Sequence, residues 1–145
     1  VHAGRPEYSI IINDEEAREL SGESNLVKAA RVIRGLGPER VVIKRGENGV
    51  LMTHRDGFFA APSMPLEKVC DPTGAGDTFA GGFVGYLAAA PRLSDAVVIQ
   101  AVIAGSTMAS FAVEDMGLDR LLRLTDTEVK ARFADFKRLT QFDAL

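Results

Sequence analysis

The chain has 145 residues, of which 46% are hydrophobic and 26% charged, and this length and balance suit one soluble globular domain with a substantial core. Its net charge of -3 gives no strong basic field, which argues against a nucleic-acid partner. The single cysteine, Cys70, excludes an internal disulfide and favours a reducing cytoplasm, and no apolar run is expected to reach membrane-spanning length.

The first part of the chain alternates apolar runs with helical patterns. Residues 8–12 and 40–44 predict buried strands, because both runs are mainly β-branched and lack polar alternation. Residues 14–20 predict a short helix, and residues 26–34 predict a second helix with one apolar face. Strand, helix and strand in this order imply parallel strands joined by a right-handed crossover.

Asn13 and Glu16 stand where the first strand meets the first helix. An Asn followed three residues later by Glu is typical of a capping box, in which each side chain accepts a hydrogen bond from the other residue's backbone N–H. The local sequence alone favours this cap. A functional role for the same two side chains is compatible with it, because a cap also fixes their positions.

Residues 44–49 form the next predicted turn, which contains Gly46 and Gly49. Residues 50–53 and 58–60 then predict a hairpin around residues 55–57. Without further information, an ordinary turn between strands explains both glycines.

Residues 71–79 read Asp-Pro-Thr-Gly-Ala-Gly-Asp-Thr-Phe, between a short predicted strand at 66–70 and a predicted helix from Asp77 to about Ala89. A turn of small residues at a helix N-terminus leaves backbone N–H groups without partners, and these groups form an anion site together with the helix dipole. Asp77 would repel an anion, so its position makes sense if it accepts a proton from a hydroxyl that attacks the anion. The alternative is an ordinary helix start with Asp77 as a favourable first-turn acid.

The remaining segments predict helices. Gly81, Gly82 and Gly85 indicate tight packing of the first of these helices. Ser94 or Asp95 can cap a long, largely buried helix that reaches about residue 111, and a capping box at residues 125–128 precedes a terminal amphipathic helix. The two histidines, His2 and His54, are expected to be surface or loop residues.

Residues 71–79 are very similar to the C-terminal signature of the PfkB family of carbohydrate and nucleoside kinases, which have the ribokinase-like fold. The resemblance runs from about Ile10 to Gly117 and matches only the C-terminal half of that fold. It implies a three-layer α/β fold with a mostly parallel sheet flanked by helices. Residues 1–145 would be the ATP-binding and catalytic part, without the N-terminal acceptor-binding half. Because the sequence starts at Val1 without a Met, we expect a processed chain or a piece of a longer one.

The family resemblance also implies an activity, namely ATP-dependent phosphoryl transfer to a hydroxyl of a sugar or nucleoside. Asp77 would be the catalytic base. The anion hole would consist of the backbone N–H groups of Gly74, Ala75 and Gly76. The residues expected to bind ATP are Asn13, Lys44, Gly46, Gly49 and Ser106.

Metal ions are implied at two places. Glu16 would face Mg²⁺ through water, and Asp71 and Thr73 match positions that help to hold a monovalent cation such as K⁺. The sequence departs from the family at Pro72, where Thr or Ser is common, and at Ser106, where Asn or His often faces the base.

Two functions from different classes remain open: a sugar or nucleoside kinase, and a truncated nucleotide-binding or structural module without catalysis of its own. A Rossmann-type dinucleotide enzyme is set aside, because no glycine fingerprint follows the first strand. The expected partner is a small sugar or nucleoside, with no nucleic acid and no membrane. The identity of that acceptor, a homodimer and a monovalent-cation requirement are left open, and the expected location is cytoplasmic.

Overall fold

The computed structural model describes residues 8–145, which divide into two compact units. The first unit ends at Gly46 and also includes Val50–Ala60. The second unit comprises Glu47–Gly49 and Ala61–Leu145. His2, expected to be a surface residue, lies outside the described residues, whereas His54 is half-buried at the end of a strand.

The first unit is a small α/β unit. Its elements are β1 (Ser9–Asn13), α1 (Asp14–Ser21), α2 (Leu26–Gly35), β2 (Arg40–Lys44), β3 (Val50–His54) and all but the last residue of β4 (Gly57–Ala61). A 3₁₀ turn at Gly46–Asn48 begins in the first unit and ends in the second. The sheet order is β1-β2-β3-β4; β1 is parallel to β2, and β2 is antiparallel to β3. The predicted parallel pair and the hairpin are confirmed. The four described strands form a mixed sheet in place of the mostly parallel one expected, because β3 runs antiparallel to β2.

The core of this unit lies between the two helices and one face of the sheet. Its buried members are Ala17, Ala30, Ile33, Val41 and Ile43, against which Ile10, Ile12, Leu26 and Phe58 pack. Alternate residues of a strand share a face. The helices therefore cover a single face of β1 and β2.

β1 is less buried than the sequence predicts. All five residues of β1 are half-buried, whereas Val41, Val42 and Ile43 at the centre of β2 have 0% exposure. The reason is position, because β1 ends the sheet and β2 is its only strand partner among residues 8–145. The expectation of a buried strand over residues 8–12 is therefore wrong for β1 in the part of the chain described.

The second unit is helical. Its helices are α3 (Ala75–Ala89), α4 (Asp95–Ala112), the short α5 (Asp119–Leu122) and α6 (Asp126–Thr140). The Ser94 and Thr125 side chains cap α4 and α6 as predicted, whereas α5 was not anticipated. Instead of the strand predicted at residues 66–70, the chain has no regular structure there. Its backbone bonds the end of α4, with the Cys70 N–H donating to the Val113 carbonyl at 2.7 Å.

Close helix packing explains one of the three glycines of α3. A Cβ at Gly82 would lie 3.0 Å from both the Ala104 carbonyl oxygen and the Cα of Gly105. At Gly81 and Gly85, an added Cβ would meet nothing within 4 Å. The packing explanation therefore holds for Gly82 and is wrong for the other two.

The buried helix α4 also bears on the membrane expectation. By length and composition alone, this helix is long and apolar enough to cross a membrane, and 50% of it is buried inside the structure. The expectation that no apolar run reaches that length is therefore wrong by this criterion. The core helix of a soluble protein meets the same criterion.

Candidate functional site

The start of α3 is built around a glycine in the left-handed conformation. Gly74 is the N-cap residue, with φ 81°, and no side chain caps the helix. A residue with a Cβ is strained at this φ, so the turn requires glycine. The Gly74 carbonyl accepts the Thr78 N–H at 2.9 Å and the Thr78 hydroxyl at 2.8 Å, which closes the first helical turn.

Backbone donors are left free at this helix start. The Ala75 N–H, one of the three expected anion-hole donors, already donates to the Pro72 carbonyl at 3.2 Å. Within residues 8–145, the N–H groups of Gly74, Gly76 and Asp77 have no partner. Two of the three expected anion-hole donors, the N–H groups of Gly74 and Gly76, are therefore free, and the N–H group of Asp77 is free as well.

Asp77 combines a free carboxylate with this set of donors. It is the third residue of α3, and its exposed side chain forms no ion pair or hydrogen bond with another described residue. An exposed aspartate whose only effect is a favourable interaction with the helix dipole could occupy the same position. The arrangement nevertheless provides an unengaged base within one turn of unpaired amides, which is the juxtaposition that the sequence predicts.

Asp71 is held in a local turn before the helix. Its Oδ1 accepts the Thr73 N–H at 2.9 Å. Hydrogen bonds from the Thr73 backbone and then from the Thr73 side chain hold the pKa of the Asp71 carboxyl below its usual value. The carboxylate is therefore ionised at neutral pH, as a cation ligand must be.

Ser106 has an unsatisfied hydroxyl inside the second unit. The residue is 9% exposed, and its Oγ is buried without a hydrogen-bond partner among the described residues. Two neighbours on α4 behave differently: the Thr107 hydroxyl donates to the Ile103 carbonyl at 2.8 Å, and the Ser110 hydroxyl to the Thr107 carbonyl at 2.6 Å. A buried hydroxyl without a partner costs about 1–3 kcal/mol, so a water or ligand atom is expected beside it.

In the first unit, the structure brings three of the expected site residues together. Asn13 and Lys44 are register partners at the carboxyl ends of β1 and β2. The Asn13 N–H donates to Glu16 Oε2 at 2.8 Å, and the Glu16 N–H donates to Asn13 Oδ1 at 2.8 Å. The predicted capping box is therefore confirmed. Ligands of α/β proteins usually bind outside the carboxyl ends of such strands.

The two glycines of the turn after β2 differ in what they require. Gly46, in the first unit, has φ 56° and open space around it. Gly49, in the second unit, has φ 80°, and a Cβ there would lie 2.0 Å from the Ala61 carbonyl oxygen. Backbone geometry alone therefore explains Gly49, and its contact with a nucleotide stays a prediction.

One positioning group escaped the sequence analysis. The Val113 carbonyl accepts the N–H groups of Cys70 at 2.7 Å and Asp71 at 3.4 Å, so the end of α4 fixes the segment that leads to Gly74. A backbone carbonyl carries no side-chain signal, and no pattern in the sequence could have identified it.

Comparison with known proteins identifies the family of this chain. Residues 8–123 match the pfkB family of carbohydrate kinases. The chain belongs to this family. It is 47% identical over 78 residues to the cytidine kinase of Thermococcus kodakarensis, a match that covers 51% of this chain and 27% of that protein.

Solved structures of two kinases share the fold. Aminoimidazole riboside kinase from Salmonella enterica, crystallised with aminoimidazole riboside and an ATP analogue, gives a TM-score of 0.76 at 28% identity, covering 86% of this chain and 41% of that one. Ribokinase from Thermotoga maritima gives a TM-score of 0.70 at 27% identity, covering 87% and 42%. The expected ribokinase-like α/β fold is thereby confirmed. The chain spans less than half the length of each of these three relatives.

Proposed function

We propose that this chain is the ATP-binding and catalytic part of a pfkB-type kinase, which transfers the γ-phosphoryl group of ATP to a hydroxyl of a sugar or nucleoside. The observation that carries the proposal is the first turn of α3, where the free carboxylate of Asp77 accompanies the unpaired N–H groups of Gly76 and Asp77. Phosphoryl transfer depends mainly on positioning and on stabilising charge, and a helix start with a free base supplies both.

Each residue at this helix start has a proposed role. The oxygen of the acceptor hydroxyl attacks the γ-phosphorus while Asp77 accepts the proton of that hydroxyl. The bond between the γ-phosphorus and the bridging oxygen breaks, and ADP departs with its electrons. The N–H groups of Gly74, Gly76 and Asp77 stabilise negative charge on the transferring group. The Ala75 N–H joins them only when its 3.2 Å bond to the Pro72 carbonyl opens.

The residues present are suited to bind ATP. The unpaired Ser106 hydroxyl offers a hydrogen bond to the nucleotide, and Lys44 offers a cation for phosphate. Asn13 would contribute its amide. Gly46 and Gly49 would contribute the backbone of their turn.

The proposed metal ions place different demands on the protein. Within residues 8–145, no group of three or more His, Cys, Asp and Glu residues could hold a metal ion. Mg²⁺ commonly takes most of its ligands from substrate phosphates and water, so one carboxylate acting through water is enough, and we assign that role to Glu16. Bound with ATP, magnesium neutralises phosphate charge. The ionised Asp71 with Thr73 remains our proposal for a monovalent cation such as K⁺.

The acceptor is proposed only as a class. The relatives include a cytidine kinase, an aminoimidazole riboside kinase and a ribokinase, so sugars and nucleosides both occur among them. A cytoplasmic location and a homodimer stay predictions.

A nucleotide-binding module without catalysis is the second candidate, because the unpaired Ser106 hydroxyl and the free N–H groups at the start of α3 could bind a nucleotide without any proton transfer. Titration calorimetry with ATP and Mg²⁺, followed by a kinase assay with cytidine, aminoimidazole riboside and ribose, separates the two. Binding with turnover supports the kinase. Binding without turnover supports the module, and the absence of ATP binding contradicts both.

A further inference from the structure

Glu114, just beyond the end of α4, accepts hydrogen bonds from two arginines of the helices that follow. Arg120 Nε lies 2.9 Å from Glu114 Oε2, and Arg132 Nη1 lies 2.5 Å from Glu114 Oε1. The side chains of both arginines are 19% exposed and that of Glu114 is 22% exposed, whereas the pair of Lys130 and Asp126 on α6 is 78% and 84% exposed. Solvent therefore weakens the contacts of Glu114 much less than those of the exposed pair.

The same two arginines lie against the last turn of α4. The guanidinium carbon of Arg120 is 4.8 Å from the ring centre of Phe111, and that of Arg132 is 3.7 Å from it, which is close enough for cation–π attraction. Arg132 also donates to the Ser110 hydroxyl at 3.2 Å. The last turn of α4 has no basic residue of its own. The two arginines thus supply the positive charge that stabilises a helix C-terminus.

The peptide between Val113 and Glu114 links this cluster to the segment before α3. The Val113 carbonyl and the Glu114 N–H belong to one planar unit, so they cannot turn independently. The Glu114 N–H donates to the Phe111 carbonyl at 3.1 Å, and the Val113 carbonyl accepts the Cys70 N–H at 2.7 Å. The contacts that fix Glu114 therefore also fix the direction of the carbonyl that holds Cys70.

The segment that this carbonyl holds leads directly to the free N–H groups. Only three residues separate Cys70 from Gly74, the N-cap of α3. Within them, the hydrogen bond from the Thr73 N–H to Asp71 Oδ1, at 2.9 Å, closes a tight turn. A segment this short and constrained transmits a displacement of Cys70 to the helix start.

Attachment of α6 to the other helices does not depend on these ion pairs. Phe136 of α6 is 1% exposed, and the ring of Phe133 stacks on that of Tyr86 with 6.1 Å between the ring centres. These apolar contacts already attach α6. A largely buried ion pair adds little net stability, because the desolvation of the charges opposes their attraction. The contacts of Glu114 are therefore better suited to fix the direction of its peptide than to attach a helix.

We propose that Glu114, held by Arg120 and Arg132, is a positioning residue for the candidate site, a role that rests on the proposed function. Its side chain fixes the Val113 carbonyl, and this carbonyl keeps the segment before α3 in place. The N–H groups of Gly74 and Gly76 are thereby kept in the orientation that stabilises charge on the transferring group. Glu114 itself touches neither substrate nor nucleotide in this proposal.

The test compares Glu114→Gln with the matched control Asp115→Asn. Both variants replace a carboxylate by an amide at neighbouring positions, but Asp115 pairs with Arg123, whose side chain is 67% exposed. A third variant, Arg132→Lys, keeps a cation beside Glu114 but lacks the guanidinium fork. It carries the test if Glu114→Gln does not fold.

The first measurement is amide hydrogen exchange followed by NMR, which needs no activity. Glu114→Gln should speed exchange of the Cys70 N–H by at least about tenfold, because local opening of the segment becomes easier. The amide of Phe83, in the buried part of α3, should exchange at an unchanged rate. Arg132→Lys should give a smaller increase at Cys70, and Asp115→Asn none.

The second measurement is steady-state kinetics together with ATP affinity, with whichever of cytidine, aminoimidazole riboside and ribose supports turnover. Glu114→Gln should lower kcat by at least about fivefold and change the Kd for ATP less, because the displaced N–H groups act mainly on the transition state. Asp115→Asn should retain full turnover.

Three results would overturn the proposal. Unchanged exchange of the Cys70 amide in Glu114→Gln would refute it and leave the proposed function intact. Equally faster exchange at Cys70 and Phe83, with kcat unchanged, would show that Glu114 contributes only to global stability. An unaltered protein that turns over none of the three acceptors would contradict the proposed function and the role of Glu114 in the site, although selectively faster Cys70 exchange would still support positioning of the segment.

Discussion

The Val113 carbonyl accepts a 2.7 Å hydrogen bond from the Cys70 N–H, which ties the C-terminal end of α4 to the segment leading into α3. The same carbonyl lies 3.4 Å from the Asp71 nitrogen. The turn at Gly74 is therefore anchored on its N-terminal side by backbone rather than by a neighbouring strand. This anchoring holds the candidate helix start in place within the second unit.

Gly74→Ala should destabilise the protein and weaken ATP binding. An added Cβ meets nothing within 4 Å, but the φ of 81° is strained for any residue with a Cβ, at a cost of about 1–2 kcal/mol. Relief of that strain would reorient the N–H groups of Gly74 and Gly76. Chemical denaturation and ATP titration check both effects. Gly81→Ala is the matched control, since it lies inside α3 with open space and should stabilise by up to about 1 kcal/mol.

Gly105→Ala should force α3 and α4 apart. A Cβ at this position would lie 2.7 Å from the Phe79 carbonyl oxygen, so the helices must shift, at an expected cost of about 1–3 kcal/mol. Urea unfolding measures the loss. Gly85→Ala, with nothing within 4 Å, provides the comparison. Equal stability of the two variants would show that this helix contact is looser than described.

Glu128 should contribute to acid sensitivity. Hydrogen bonds from the Thr125 N–H, the Arg120 guanidinium and the Thr125 hydroxyl lower the pKa of Glu128 from 4.5 to about 2. A depressed carboxyl pKa adds stability above the unfolded pKa, and that stability is lost as the pH falls from about 4.5 towards 2. Denaturation across this range should show a shallower acid loss for Glu128→Gln than for the unaltered chain. An identical pH profile would show that the charge of Glu128 adds no stability.

Much of the fold follows from local sequence because the signals are local. The Asn13 and Thr125 capping boxes, the apolar face of α2 and the turn between β3 and β4 each depend on residues a few positions apart. The burial of β1 and the absence of a strand at residues 66–70 depend on what lies beside those segments in space. An apolar run indicates that burial of the segment is favourable, but it does not indicate which neighbouring element will cover the segment.

The candidate site, like the fold, was predictable from the sequence where the signal is local and not where it depends on tertiary packing. Residues 71–79 indicated a helix start with an acid and free amides, and the structure places Asp77 there. The engagement of the Ala75 N–H, the empty space beside Gly81 and the ion pairs of Glu114 are features of tertiary packing. Periodicity and motif spacing carry no information about them.

The central claim is that Asp77 deprotonates the acceptor hydroxyl. The most direct measurement is the steady-state kinetics and ATP affinity of Asp77→Asn, in this chain or in a longer protein that contains it, with Asp143→Asn as control because Asp143 is exposed near the C-terminus. Loss of the base should lower kcat by about 10²- to 10⁴-fold and leave the Kd for ATP within a few-fold, while the control retains full turnover. Turnover of Asp77→Asn equal to that of the unaltered enzyme would contradict the account.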